Sequence, residues 1–124
     1  MSDWRQRLES AKRLSTCRLT TCGRRTGRPH IVTIWFAIGE DGRVYLATLR
    51  MGRDWPKNVL ANPEVTLTLG ELRLRGQARL LTDERQRARV DSLIAGKYWG
   101  ARIAGWLGFK PQGAFELRVD GEAA

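Results

Sequence analysis

TTCGRRTGRPHIVTIWFAI, residues 20–38, sets a Gly-bounded link carrying Arg24, Arg25 and Arg28 between two β-like runs. Gly23, Gly27 and Pro29 punctuate the link, so the runs read as consecutive antiparallel strands joined by a hairpin. The second run is apolar on both faces. At the period of two that a strand imposes, Val32, Ile34 and Phe36 fall on one face and Ile31, Trp35 and Ala37 on the other. In a small antiparallel barrel one face meets the core, so the other must meet a helix, a second subunit or a flat ligand. A subunit together with a ligand is the favoured cover. By contrast, in LRLRGQARL, residues 72–80, Leu72, Leu74, Ala78 and Leu80 alternate with Arg73, Arg75, Gln77 and Arg79, the pattern of a half-exposed strand.

Working outward from the hairpin, Gly and Pro punctuation divides the chain into six β segments, approximately 15–23, 30–39, 43–49, 64–70, 72–81 and 113–120. Trp4, Leu8, Ala11 and Leu14 recur at helical spacing behind Asp3 and Gln6, which predicts an amphipathic helix over residues 3–14 with a solvated basic face. A short helix is predicted after the third strand, with Asp54 as N-cap, Pro56 in the first turn and a stop before Pro63. Asp83 opens a second long helix whose apolar stripe is Val90, Leu93, Ile94 and Tyr98. No repeat, low-complexity tract or linker interrupts residues 1–124, so a single domain is expected.

Composition is that of a folded chain, 42% hydrophobic and 28% charged over 124 residues. The longest apolar stretch, Ile103 to Phe109, falls far short of the ~20 residues that span a bilayer. With no signal-like N-terminal run, the cytoplasm is the expected compartment. Cys17 and Cys22 lie on one extended run about 16 Å apart, too far to bridge at roughly 3.3 Å per residue. With His30 as the sole histidine, no metal site is expected. The formal charge of +9 favours anionic partners without choosing among them, and 18 of the 22 basic residues are Arg. Where the arginines cluster is therefore more informative than their total.

The sequence offers little for catalysis by side chains. There is no Gly-x-Ser-x-Gly elbow and no Cys/His partnership, His30 reads as structural, and the acidic pairs Glu40/Asp41 and Asp83/Glu84 sit in a turn and at a helix start. No catalytic residue is assigned; an enzyme here would need a cofactor to bring the reactive atom. Two basic stretches suit one. The first is the hairpin link. The second is ATLRMGRDWPKN, residues 47–58, where Thr48, Arg50, Arg53 and Lys57 surround a helix start whose free N–H groups favour a phosphate. Each alone also reads plainly, as a solvated hairpin tip and as a strand-to-helix loop.

Taken together, LTTCGRRTGRPHIVTIWFAI and RVYLATLRMGRDWPKNVLANPEVTL resemble the deazaflavin (F-420)-dependent nitroreductase and quinone-reductase family, within the pyridoxamine-5'-phosphate-oxidase-like FMN-binding split barrels. The likeness covers residues 18–81, and its elements G-R-x-[ST]-G-x-P (Gly23 to Pro29) and W-x-x-N-x-x-A-N-P (Trp55 to Pro63) are specific in combination. The resemblance implies a mainly β, α+β fold: a six-stranded antiparallel split β-barrel with Greek-key topology and flanking helices. It implies a homodimer with coenzyme F-420, or alternatively FMN, in a groove at the subunit interface. Carried over by position, Arg25 and Arg50 contact the cofactor's phosphate and acidic tail, with Arg53, Lys57 and Asn58 as neighbours. Thr33, Ile34 and Trp35, together with Ala47, Thr48 and Leu49, lie along the tricyclic ring. Tyr98, Trp99 and Trp106 occupy the segment that covers the substrate pocket in relatives. Where the family has a longer loop this chain reads LRMGRD, and His30 stands where relatives are basic, so F-420 and FMN both stay open.

The expected activity is hydride transfer from reduced cofactor to a flat, electron-poor small molecule such as a quinone or nitroaromatic, with the protein supplying position and electrostatics. A nucleic-acid-binding small β-barrel and a non-catalytic flavin or haem carrier are the alternatives. Nucleic acid is not the expected partner, because the basic face Arg73, Arg75 and Arg79 lacks interleaved aromatics for base stacking. Peripheral membrane contact through ARIAGWLGF, residues 101–109, stays open as a lesser alternative to core or dimer packing.

Overall fold

The six expected strands become seven because the doubly apolar run breaks at Trp35. The computed structural model describes residues 3–98 and 111–123. Helix α1 (Trp4–Ser10) tightens into a 3-10 turn over Ala11–Arg13 instead of running evenly to Leu14. There follow β1 (Cys17–Cys22), β2 (Pro29–Ile34), β3 (Phe36–Ile38), β4 (Val44–Thr48), α2 (Asp54–Ala61), β5 (Glu64–Leu69), β6 (Leu72–Leu80), α3 (Glu84–Lys97) and β7 (Gly113–Glu122). All strands join one antiparallel sheet in the order β2-β1-β5-β6-β7-β4-β3. Its two outermost strands, β2 and β3, are consecutive in sequence, so one residue carries the chain from one edge of the curled sheet to the other. A straight strand over residues 30–39 cannot pair with β1 and β4 at once. The bend at Trp35 lets it serve both, and the result is a mainly β, split half-barrel flanked by helices.

Alternation puts Cys17, Leu19, Phe36, Leu46, Leu67, Leu74, Phe115 and Leu117 into one core, where α1 adds Leu8 and α2 adds Trp55 and Val59. Trp55 is a packing residue, buried against Phe115 with ring centroids 5.2 Å apart. A second apolar layer forms outside the barrel, where Val90 and Ile94 of α3 close on Ala37 of β3 and Ala114 of β7. This settles the second face of the doubly apolar run in two parts. Over β3 the cover is a helix, not a subunit or a ligand. Over β2 the outer residues Ile31 and Thr33 stay exposed.

Local chemistry explains the joints. Gly27, at φ 71°, turns the β1–β2 hairpin in the left-handed region where only glycine is unstrained, and its N–H closes onto Gly23 O at 2.8 Å. On β6, the pairing with β7 shifts register between Arg75 and Gly76, a β-bulge at which a Cβ on residue 76 would run into the Arg118 carbonyl. Helix α3 starts as expected, with the Asp83 carboxylate accepting from Arg85 N–H at 3.3 Å. Helix α2 does not. Its N-cap is Arg53, which makes no side-chain cap, and Asp54 is the first helical residue because its carboxylate is drawn across to Arg24. No helix among the described residues is long and apolar enough to cross a membrane.

Candidate functional site

Arg24 is the residue that joins the two basic stretches. Its guanidinium donates to Asp54 Oδ1 at 3.2 Å and to Asn58 Oδ1 at 2.9 Å, and its backbone N–H donates to the same Asn58 oxygen at 3.2 Å. Asn58 is buried and passes the connection on, its Nδ2 donating to Thr21 Oγ1 at 3.1 Å. The hairpin tip is thereby fastened to the first two turns of α2. Among the cofactor-binding expectations, Asn58 is consumed by this internal network, as is Arg24. Arg25 and Arg28 are left exposed and form no ion pair among the described residues. They border a hollow of about 260 Å³ that also takes in Gly23, Thr26, His30 and Asp54.

The second stretch is held as firmly. Thr48 Oγ1 donates to Arg50 O at 2.9 Å and accepts from Arg50 N–H at 3.2 Å, a local turn that ends β4. Gln112 pins the same turn to the start of β7, its N–H on Thr48 O at 2.9 Å and its Oε1 accepting from Met51 N–H at 2.7 Å. Thr48 is thus buried and structural, while Leu49 (57% exposed) and Arg50 project into solvent. Arg53 and Lys57 are exposed along α2. Ala47 is half-buried beneath α3.

Along β2, Ile34 turns toward the core whereas Thr33 is exposed and Trp35 is 41% exposed. As an edge strand β2 also keeps one row of backbone donors and acceptors outside the ladder. Tyr98, just past α3, stacks on Trp35 with centroids 4.6 Å apart and planes 7° from parallel. Its hydroxyl accepts from Phe36 N–H at 3.2 Å and shares its proton between Ser15 O at 2.6 Å and Phe36 O at 3.0 Å. Trp99 and Trp106 lie outside the described residues.

Two groups beside the strand break had no signal in the sequence. The Cys17 thiol reaches Ile34 O at 3.8 Å, and burial pushes its pKa up to about 12 against a small opposing pull from Lys97. Lys97 Nζ rests 3.5 Å from the Phe36 ring centroid with no hydrogen-bond partner among the described residues, and burial lowers its pKa. Burial likewise raises the Tyr98 hydroxyl. Cys17 is therefore a protonated, unreactive thiol near neutrality. Cys17 and Cys22 are both free, and no cluster of His, Cys, Asp or Glu among the described residues is arranged to hold a metal.

The described residues thus offer exposed guanidiniums without an ion pair at a hollow by a helix N-terminus and, toward the other end of β2, an open strand edge and an aromatic face. That donor set fits a flat cofactor with an anionic tail. Comparison with solved structures places the fold among known ones. A conserved hypothetical protein from Mycobacterium tuberculosis superposes with a TM-score of 0.78 at 18% identity, covering 98% of this chain and 82% of that one. An F-420-H2 dependent reductase gives a TM-score of 0.67 at 23% identity, over 85% and 95% of the two chains. A FAD-binding protein from Mesorhizobium loti gives 0.70 at 16% identity, over 98% and 90%. At these identities the likeness is one of fold. Residues 5–123, nearly the whole chain, match the model for pyridoxamine 5'-phosphate oxidase, and the chain belongs to that family.

Proposed function

We propose that this protein is a cytoplasmic oxidoreductase that binds coenzyme F-420, with FMN as the alternative, and reduces a flat electron-poor acceptor such as a quinone or nitroaromatic. The observation that carries the reading is the division among the hairpin arginines: Arg24 turns inward to Asp54 and Asn58, while Arg25 and Arg28, at the hollow, form no ion pair among the described residues. Unpaired, closely spaced guanidiniums on a rigid turn repel one another and are stabilised by an anion. When bound, the cofactor supplies the hydride. The chain's own task is to hold the tail with Arg25 and Arg50, present the edge of β2 to the ring, and exclude water from the acceptor.

A homodimer with the cofactor at its interface accounts for two of the large apolar side chains left in solvent, Ile31 at 62% and Leu49 at 57%. The nucleic-acid reading has less to stand on, because the basic face of the sheet is laced with acceptors. Arg79 and Arg43 both pair with the buried Glu116 at 3.2 Å, Arg118 pairs with Asp120, and Arg75 donates to Glu122 O.

An anaerobic assay with menadione tests the reading. Acceptor-dependent oxidation of reduced F-420 or reduced FMN, saturating in menadione, is the expected result. Tight cofactor binding without acceptor-dependent oxidation would make the protein a carrier and reject the reductase reading.

A further inference from the structure

Tyr98 was expected on the substrate side, yet every polar contact it makes points back into the fold. Its hydroxyl is engaged by Phe36 N–H, Phe36 O and Ser15 O, so the β3 side of the break and the residues leading into β1 are tied to the end of α3. Its one proton is already committed to Ser15 O and Phe36 O, so no donor remains there to meet an acceptor molecule. The ring itself is spent on Trp35, stacked nearly parallel at 4.6 Å. One face of the Trp35 indole is therefore covered by Tyr98, and among the described residues no ring stacks on the other; the side chain is 41% exposed, next to the exposed outer residues Thr33 and Ile31 of β2. An indole held this way loses little freedom when a second flat ring lands on it, whereas an unsupported one must first be ordered.

Resting on the cofactor reading above, we propose that Tyr98 is a positioning residue for the cofactor's tricyclic ring: it clamps Trp35 at the strand break so that the open indole face forms a preset stacking platform. Tyr98 acts through Trp35 and touches neither cofactor nor acceptor. Discrimination at this platform is by planarity and ring area, which suits fused aromatic ring systems.

The test titrates FMN and F-420 by fluorescence against wild type, Tyr98→Phe, Tyr98→Leu, Trp35→Leu and the Trp35→Leu/Tyr98→Leu pair, with the fold checked by far-ultraviolet circular dichroism. Menadione KM is measured at saturating cofactor. The expected result is a cofactor Kd raised roughly three- to tenfold by Tyr98→Phe and more than about tenfold by Tyr98→Leu. The double variant should be no weaker than Trp35→Leu alone, and menadione KM should stay within about twofold. An unchanged cofactor Kd in folded Tyr98→Leu, or a raised menadione KM alone, would overturn the assignment. Should Tyr98→Leu fail to fold, an unchanged Kd in Tyr98→Phe overturns it instead. Absence of cofactor binding by wild type removes the cofactor reading and this one together; binding by wild type with unaltered variants removes this one alone.

Discussion

Three arginines within five positions do two different jobs. Arg24 bridges Asp54 and the buried Asn58, so Arg24→Ala removes both guanidinium bonds, leaves Asn58 Oδ1 with the backbone N–H of residue 24 alone and loosens the hairpin; a loss of about 1–2 kcal/mol in urea unfolding is expected. Arg25 is exposed and makes no ion pair among the described residues, so Arg25→Ala should leave the unfolding midpoint unchanged while weakening cofactor affinity roughly tenfold or more. Nothing in the residue types separates the two; the difference is made by Asp54 and Asn58, some thirty positions away, and only the folded chain shows which guanidinium turns inward. Cys17 gives a second prediction at this scale. Burial pushes its folded pKa up to about 12 from an ordinary 9.0, above that of the unfolded chain. Its contribution is therefore fully present below pH 9 and is lost as pH rises toward 12, at up to about 1.4 kcal/mol per pH unit. Lys97, lowered by burial, works in the opposite sense, so the comparison must isolate the thiol. Stability measured at pH 8 and pH 10.5 should fall less steeply in Cys17→Ala than in wild type; equal slopes would contradict the assignment.

Among the elements, strands and hairpins were legible because their signals are local. Glycine and proline bound them, and the alternation of Leu72, Leu74 and Ala78 with arginines sets the buried face of β6. The break at Trp35 was not, since Trp35 continues the alternation without interruption; what breaks the strand is the need to reach β1 and β4 from opposite ends of the sheet. The same kind of reason moved the N-cap of α2 to Arg53, because the Asp54 carboxylate finds a better partner in Arg24. Gly76 is a position where element geometry makes a sharp prediction. Gly76→Ala drives a methyl into the Arg118 carbonyl at the bulge, and a loss of about 2–4 kcal/mol is expected in thermal or urea unfolding. A variant as stable as wild type would mean that the bulge relaxes freely.

For the whole molecule, the curled sheet leaves a face half finished. α3 covers β3, but the outer side of β2 keeps Ile31 in solvent, and Trp35 at its far end from the hairpin is 41% exposed. The sequence marked this face as doubly apolar and so pointed to a cover; it could not say that a helix takes one half, because α3 lies about fifty residues downstream. On the proposed reading, a second copy covers the open half. Ile31→Asp should shift the protein from dimer to monomer in analytical ultracentrifugation and lower cofactor affinity with it, whereas a monomeric wild type would remove the interface from the account.

The central claim is that the unpaired hairpin arginines hold the anionic tail of a flat redox cofactor. Its most direct test is a fluorescence titration of wild type and Arg25→Ala with F-420 and with FMN, at moderate and at high salt, the latter screening non-specific attraction to a surface of net charge +9. Saturable binding of one cofactor that survives added salt in wild type and weakens in Arg25→Ala is the predicted result. Binding of neither, or binding that high salt abolishes and Arg25→Ala leaves untouched, would contradict it.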